Sequence, residues 1–153
     1  MQGEVCFALL VVCLLHVTFI PDVETAVSEQ MIKQMKDMHK KTCMARSGVK
    51  KEGLAKFMEE GVNDDPAFKK YTLCMLKNMQ GFKNGKIAIK DIENQAKAML
   101  PPPLRDAILD ATSKCSNTGG DTPEDITYNF SKCSHKANVK VALALELQES
   151  CVT

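Results

Sequence analysis

Catalytic motifs are missing from this 153-residue chain. It has no Gly-x-Ser-x-Gly elbow, no Gly-rich phosphate loop and no His-Glu-x-x-His pair. Only three histidines occur, His16, His39 and His135. The few serines fall in turns, at caps or on helix surfaces. A catalytic constellation would have to be assembled from scattered residues, so the sequence argues against an enzyme and calls for no cofactor. No Cys-x-x-Cys spacing and no Cys/His cluster points to a metal. No basic run carries interleaved aromatics, so nucleic acid is not an expected partner. Internal repeats, long linkers and low-complexity stretches are absent too, and the length suits one domain.

The first long apolar run, residues 7–20, is too short to cross a bilayer comfortably, which takes about 20 residues. Pro21 and a stretch ending in Ala26 follow it. The pattern reads as a secretory signal peptide over residues 1–26, although Met1 to Val5 hold Glu4 and no basic residue. A retained N-terminal anchor is the other reading. Removing 1–26 takes Glu4, Asp22 and Glu24 from the 19 acidic residues and none of the 20 basic ones, leaving a charge of +4. The remaining 127 residues would bury roughly two-thirds of their unfolded surface, enough for a core with room for a cavity.

Cys6 and Cys13 would leave with that peptide. Cys43, Cys74, Cys115, Cys133 and Cys151 remain. A secreted chain meets an oxidising compartment, so disulfides are expected. Five is odd, which leaves one thiol free or bridging two chains.

Apolar residues at helical spacing fill the rest. A first helix is expected from Val27 to Arg46, with Met31, Met35, Met38 and Thr42 on one face. Ser47-Gly48 breaks it. A second, Lys50 to Glu60, carries Leu54, Phe57 and Met58 and stops at Gly61. Asp64 or Asp65 caps a third, opened by Pro66, with Phe68, Tyr71, Met75 and Met79 in a stripe. Leu73, Cys74 and Leu76 point elsewhere, so this helix should be central. Asn84-Gly85 is a turn, and the missing acidic ligands exclude a calcium loop there. A fourth helix, Lys90 to Leu100, turns Ile92, Ala96, Met99 and Leu100 inward. Pro101-Pro102-Pro103 ends it. A fifth, Leu104 to Cys115, carries Leu104, Ile108 and Ala111. The sixth, Thr122 to about Asn138, carries Ile126, Phe130, Cys133 and Ala137. Val139 to Leu147 forms a tail whose composition favours helix over strand. Asn129-Phe130-Ser131 matches a glycosylation sequon inside the sixth helix.

Eight methionines follow the leader, and six of them (Met35, Met38, Met58, Met75, Met79 and Met99) fall on stripes expected to face inward. Methionine is flexible and polarisable and is over-used on promiscuous apolar binding surfaces, but an ordinary Met-rich core would read the same.

The cysteine pattern resembles the insect odorant-binding proteins of the pheromone and general odorant-binding type. That family has six cysteines, with three residues between the second and third and eight between the fifth and sixth. Cys43, Cys74, Cys115 and Cys133 match the first, third, fourth and sixth. Lys70 stands at the second place and Glu124 at the fifth. Both belong to one family bridge, which is the departure that defines the Minus-C subgroup. Ser47-Gly48-Val49, Asn84-Gly85-Lys86-Ile87 and the Pro-led fifth helix agree with the family, and the likeness reaches to about residue 140.

The resemblance implies an all-α fold: a compact shell of six helices, or seven with the tail, around a hydrophobic cavity. It implies bridges Cys43–Cys74 and Cys115–Cys133, each worth about 3–4 kcal/mol in the chain-entropy model. The lining it suggests is Met35, Met38, Phe57, Met58, Phe68, Tyr71, Met75 and Met79. To these the later helices add Ile92, Ala96, Met99, Ile108, Ala111, Ile126 and Phe130. Tyr71 or Tyr128 could add polar selectivity. The function implied is reversible carriage of small hydrophobic molecules through extracellular fluid, sensillum lymph where the role is olfactory. Partners would be the ligand and an olfactory receptor membrane surface, with the protein a monomer or weak homodimer. His39 and His135, expected at the surface, could contribute to release near about pH 6. An ion pair between Lys70 and Glu124 is expected in place of the missing bridge, and the contact between helices three and six should be looser for the loss. A secreted helical defence or structural protein is the rival reading.

Overall fold

The computed structural model describes residues 29–137. The expected signal peptide, the tail from 139 and Cys151 lie outside the described residues. Six helices and one small hairpin make up the described part: α1 Glu29–Ser47, α2 Lys51–Glu60, α3 Pro66–Asn78, β1 Phe82–Lys83, β2 Lys86–Ile87, α4 Ile89–Met99, α5 Pro102–Lys114 and α6 Pro123–Ala137. The all-α expectation holds, with the six expected helices before the tail present to within about two residues.

Local chemistry sets the boundaries. Asp65 accepts the Ala67 N–H at 2.8 Å, and Pro66 occupies the first turn of α3. Thr122 and Asp125 cap α6 reciprocally. The Asp125 N–H donates to Thr122 Oγ1 at 3.1 Å, and that hydroxyl donates to Asp125 Oδ2 at 2.6 Å. Gly61 ends α2 at φ 72°, its N–H on the Phe57 carbonyl at 2.8 Å.

The turn at Asn84-Gly85 proves to be the tip of an antiparallel hairpin, with Phe82 opposite Ile87 and Lys83 opposite Lys86. Both tip residues have positive φ, 52° and 75°. That is the pattern of the tight two-residue turn that matches strand twist. Two-residue strands are too short to show a period in sequence.

α3 lies at the centre and packs chiefly against α1 and α6, while α4 packs on α5 and α5 on α6. Cys43–Cys74 joins α1 to α3 and Cys115–Cys133 joins the end of α5 to α6, with Cα separations of 5.6 and 5.7 Å. These are the pairings the resemblance implied.

Candidate functional site

Two apolar clusters flank the α3–α6 contact. The first gathers Val49, Phe57, Phe68 and Tyr128, with Met44, Leu54, Met58 and Tyr71 against them. It is aromatic: the Phe57 and Phe68 rings lie 4.6 Å apart, and Phe68 meets Tyr128 edge-on at 6.1 Å. The second gathers Leu73, Leu76, Phe82, Cys115 and Phe130, with Ile92, Ile126 and the hairpin's Ile87 packed on it.

Of the expected lining, Phe57, Met58, Phe68 and Tyr71 therefore belong to the aromatic cluster, and Ile92, Ile126 and Phe130 to the other. Ala96 and Ala111 are buried in neither cluster. Met35 of α1, Met75 of α3, Met99 of α4 and Ile108 of α5 are half-buried and also outside both.

Two methionines of the expected lining are not inward, and Met31 on the same α1 face is 54% exposed as well. Met38 is 57% exposed and Met79 43%. Met79 is the C-cap of α3, one residue past its last helical position, so the stripe's period no longer fixes its direction. Met38 lies in the half of α1 that precedes its disulfide to α3. The buried α3 residues are Phe68, Thr72, Leu73 and Leu76, on more than one side of a central helix.

His135 is not a surface residue either. It is buried, its ring 5.4 Å edge-on from Phe57 and its Nε2 2.9 Å from the Met58 carbonyl. Since that carbonyl can only accept, Nε2 carries the proton. Tyr128 is buried as well, and its hydroxyl accepts the Asn63 N–H at 2.9 Å. Burial pushes the Tyr128 phenol above its ordinary pKa, and nearby Asp64 adds to the rise. Its hydroxyl is thus committed to the fold. Asn129 of the sequon donates to the Gly119 carbonyl at 2.7 Å.

The α3–α6 contact is closed by polar groups. Thr72 and Thr127 hydroxyls lie 3.3 Å apart, both buried. Lys69 Nζ meets Asp125 Oδ1 at 2.9 Å. Hydrogen bonds from Thr122 and then Lys69 hold the Asp125 carboxyl below its usual pKa, and the bond to Asp125 raises that of Lys69. The expected Lys70–Glu124 ion pair is not formed among the described residues, where the ion pair between these helices is Lys69–Asp125. Each helical step turns about 100°, so neighbours one residue along meet where Lys70 and Glu124 do not. Lys70 and Glu124 instead line one open cleft of about 200 Å³, with Arg46, Lys77 and Asn78 around it and Leu73 and Cys74 between.

Among the described residues no group of His, Cys, Asp and Glu could hold a metal ion. No described helix is long and apolar enough to cross a membrane.

Six helices and two bridges define a small disulfide-clamped α-helical protein. The sequence model of the PBP/GOBP family matches residues 25–137, and the chain belongs to that family. Among solved structures it is similar to odorant binding protein 4 of the predator Chrysopa pallens. Identity is 28% over 74% of this chain and 95% of that one, with a TM-score of 0.68. It shares its fold with odorant binding protein 5 of Apis mellifera at 22% identity, covering 74% of this chain and 93% of that chain, TM-score 0.68. No curated protein sequence matches it.

Proposed function

We propose that this protein is a secreted carrier that reversibly binds a small hydrophobic molecule, as its family and the names of its structural relatives suggest, and that it performs no catalysis. The observation that carries this reading is the set of apolar side chains left half-covered outside the two packed clusters: Met35, Met75, Met99 and Ile108, one from each of four helices. On this reading they wall the ligand site, while Met38 and Met79 are exposed. A ligand covering them would gain about 25 cal/mol per Å² of apolar surface, less the cost of ordering. Flexible methionines would let that wall adapt to more than one ligand.

The Minus-C assignment belongs to the same proposal. Two disulfides support it, as does the cleft shared by Lys70 and Glu124, which is what two halves of a lost bridge require. The domain would span residues 27–153 after removal of a leader, acting as a monomer or weak dimer.

Titration of the oxidised mature protein with a neutral fluorescent apolar probe tests the carrier reading. Saturable one-to-one binding, reversed by uncharged apolar competitors, is expected. A protein that binds no probe and instead makes lipid vesicles leak would be the rival defence protein.

A further inference from the structure

We propose that the cleft between α1, α3 and α6 is a second binding site, separate from the apolar interior, for a small organic anion: a carboxylate on a short apolar stem. Arg46, Lys70 and Lys77 all face it, against one carboxylate, Glu124. Among the described residues the ion pairs engage Lys69, Lys83, Arg105 and Lys114, so none of the three cleft cations is neutralised by a partner. Like charges gathered around one depression raise the local concentration of anions. Lys70 and Lys77 stand seven residues apart on α3, two turns and about 10 Å along the axis. Leu73 and Cys74 fall between them on the same stripe. The cleft therefore has a narrow apolar floor, the edge of buried Leu73 and the Cys74 bridge, flanked by cations, which suits an anion on a short apolar stem. Arg46 supplies the planar fork that fits a carboxylate.

The walls are fixed. Cys74 is bonded to Cys43, and Asn78 donates to the Cys43 sulfur at 3.3 Å. At about 200 Å³ the cleft is smaller than the roughly 300–1,000 Å³ of pockets for drug-sized ligands, so it takes a head group and a short stem. Glu124 penalises a dianion or a dense anionic surface, which favours a monoanion. A cysteine pair at 70 and 124 would remove one cation and one anion and so leave the net charge of the cleft unchanged, but it would take away Lys70 as a donor to a bound anion.

The test is amide NMR of the mature, oxidised chain titrated separately with octanoate and with 1-octanol. Octanoate is expected to shift residues 46, 70, 73, 74, 77 and 78, whereas octanol leaves them in place. The octanoate midpoint should rise from about 0.01 M to about 1 M NaCl, as the Debye length shortens from about 30 Å to about 3 Å. Arg46→Ala with Lys77→Ala, both exposed side chains, should lose the cleft shifts and keep the rest of the spectrum. Arg46→Lys should retain part of the response. Octanoate shifts confined to residues outside the cleft, or cleft shifts unchanged in the double variant, would overturn the proposal. Octanol shifts elsewhere in the protein report the apolar interior, so the two readings fail independently.

Discussion

Lys69 on α3 and Asp125 on α6 join their charged groups at 2.9 Å, one residue along from Lys70 and Glu124 on their respective helices. Both side chains remain partly exposed, at 29% and 30%. The pair works together with Thr122, which holds the same carboxylate from its own helix.

This arrangement predicts an acid limb. Asp125 has a lowered pKa in the folded protein, so its contribution to stability is present above the unfolded value of about 3.9 and is lost as pH falls through the folded one. Thermal midpoints of the wild type should drop below about pH 4. Asp125→Asn should be less stable than wild type at neutral pH and should show a flatter acid limb. Equal slopes for the two proteins would refute the assignment.

Tyr128→Phe keeps the ring but leaves the buried Asn63 N–H without its acceptor. A loss of about 1–3 kcal/mol in urea unfolding is expected. The phenol's raised pKa adds an alkaline effect. The folded state holds that proton more tightly than the unfolded chain, so stability falls once pH passes the unfolded value of about 10. The Phe variant should lack that share of the decline.

Much of this was legible in the chain. Asp65-Pro66, Gly61, Asn84-Gly85, the proline triplet and Thr122 mark boundaries because each solves a local backbone problem. The disulfide pairing followed from a family pattern that the spacing matches. The rest was hidden for physical reasons. A helical stripe shows which residues share a face, not whether that face meets protein, so Met38 and Met79 could not be told from Met35 and Met75. α6 packs on two clusters, so Tyr128 and His135 bury on a side the Ile126–Phe130 stripe does not predict. Lys69–Asp125 depends on the rotation of two helices about their axes, which residue spacing alone does not give.

Gly61 meets His135 closely: a Cβ at Gly61 would lie 2.8 Å from His135 Nδ1, on a backbone with φ 72°. Gly61→Ala should therefore cost more than the roughly 1–3 kcal/mol of a left-handed non-glycine residue alone. In a His135→Ala background the steric part should vanish and the cost should shrink. A double-mutant cycle by chemical denaturation reads that coupling, and strict additivity would contradict the contact.

Paired removal of the disulfides should cost about 3–4 kcal/mol each, more for Cys43–Cys74, which spans 31 residues against 18 for Cys115–Cys133. Conversely, Lys70→Cys with Glu124→Cys should close a third bridge across the shared cleft and raise the denaturation midpoint. A thiol count on the folded, air-oxidised variant checks this, and two free engineered thiols would refute the Minus-C reading.

The central claim is that half-covered methionines wall a ligand cavity, and methyl-labelled methionine NMR tests it most directly. Addition of a neutral apolar ligand should move the methyl signals of Met35, Met75 and Met99, with Met44 and Met58, packed on the aromatic cluster, staying in place. Saturation with Met35, Met75 and Met99 unmoved would contradict the account.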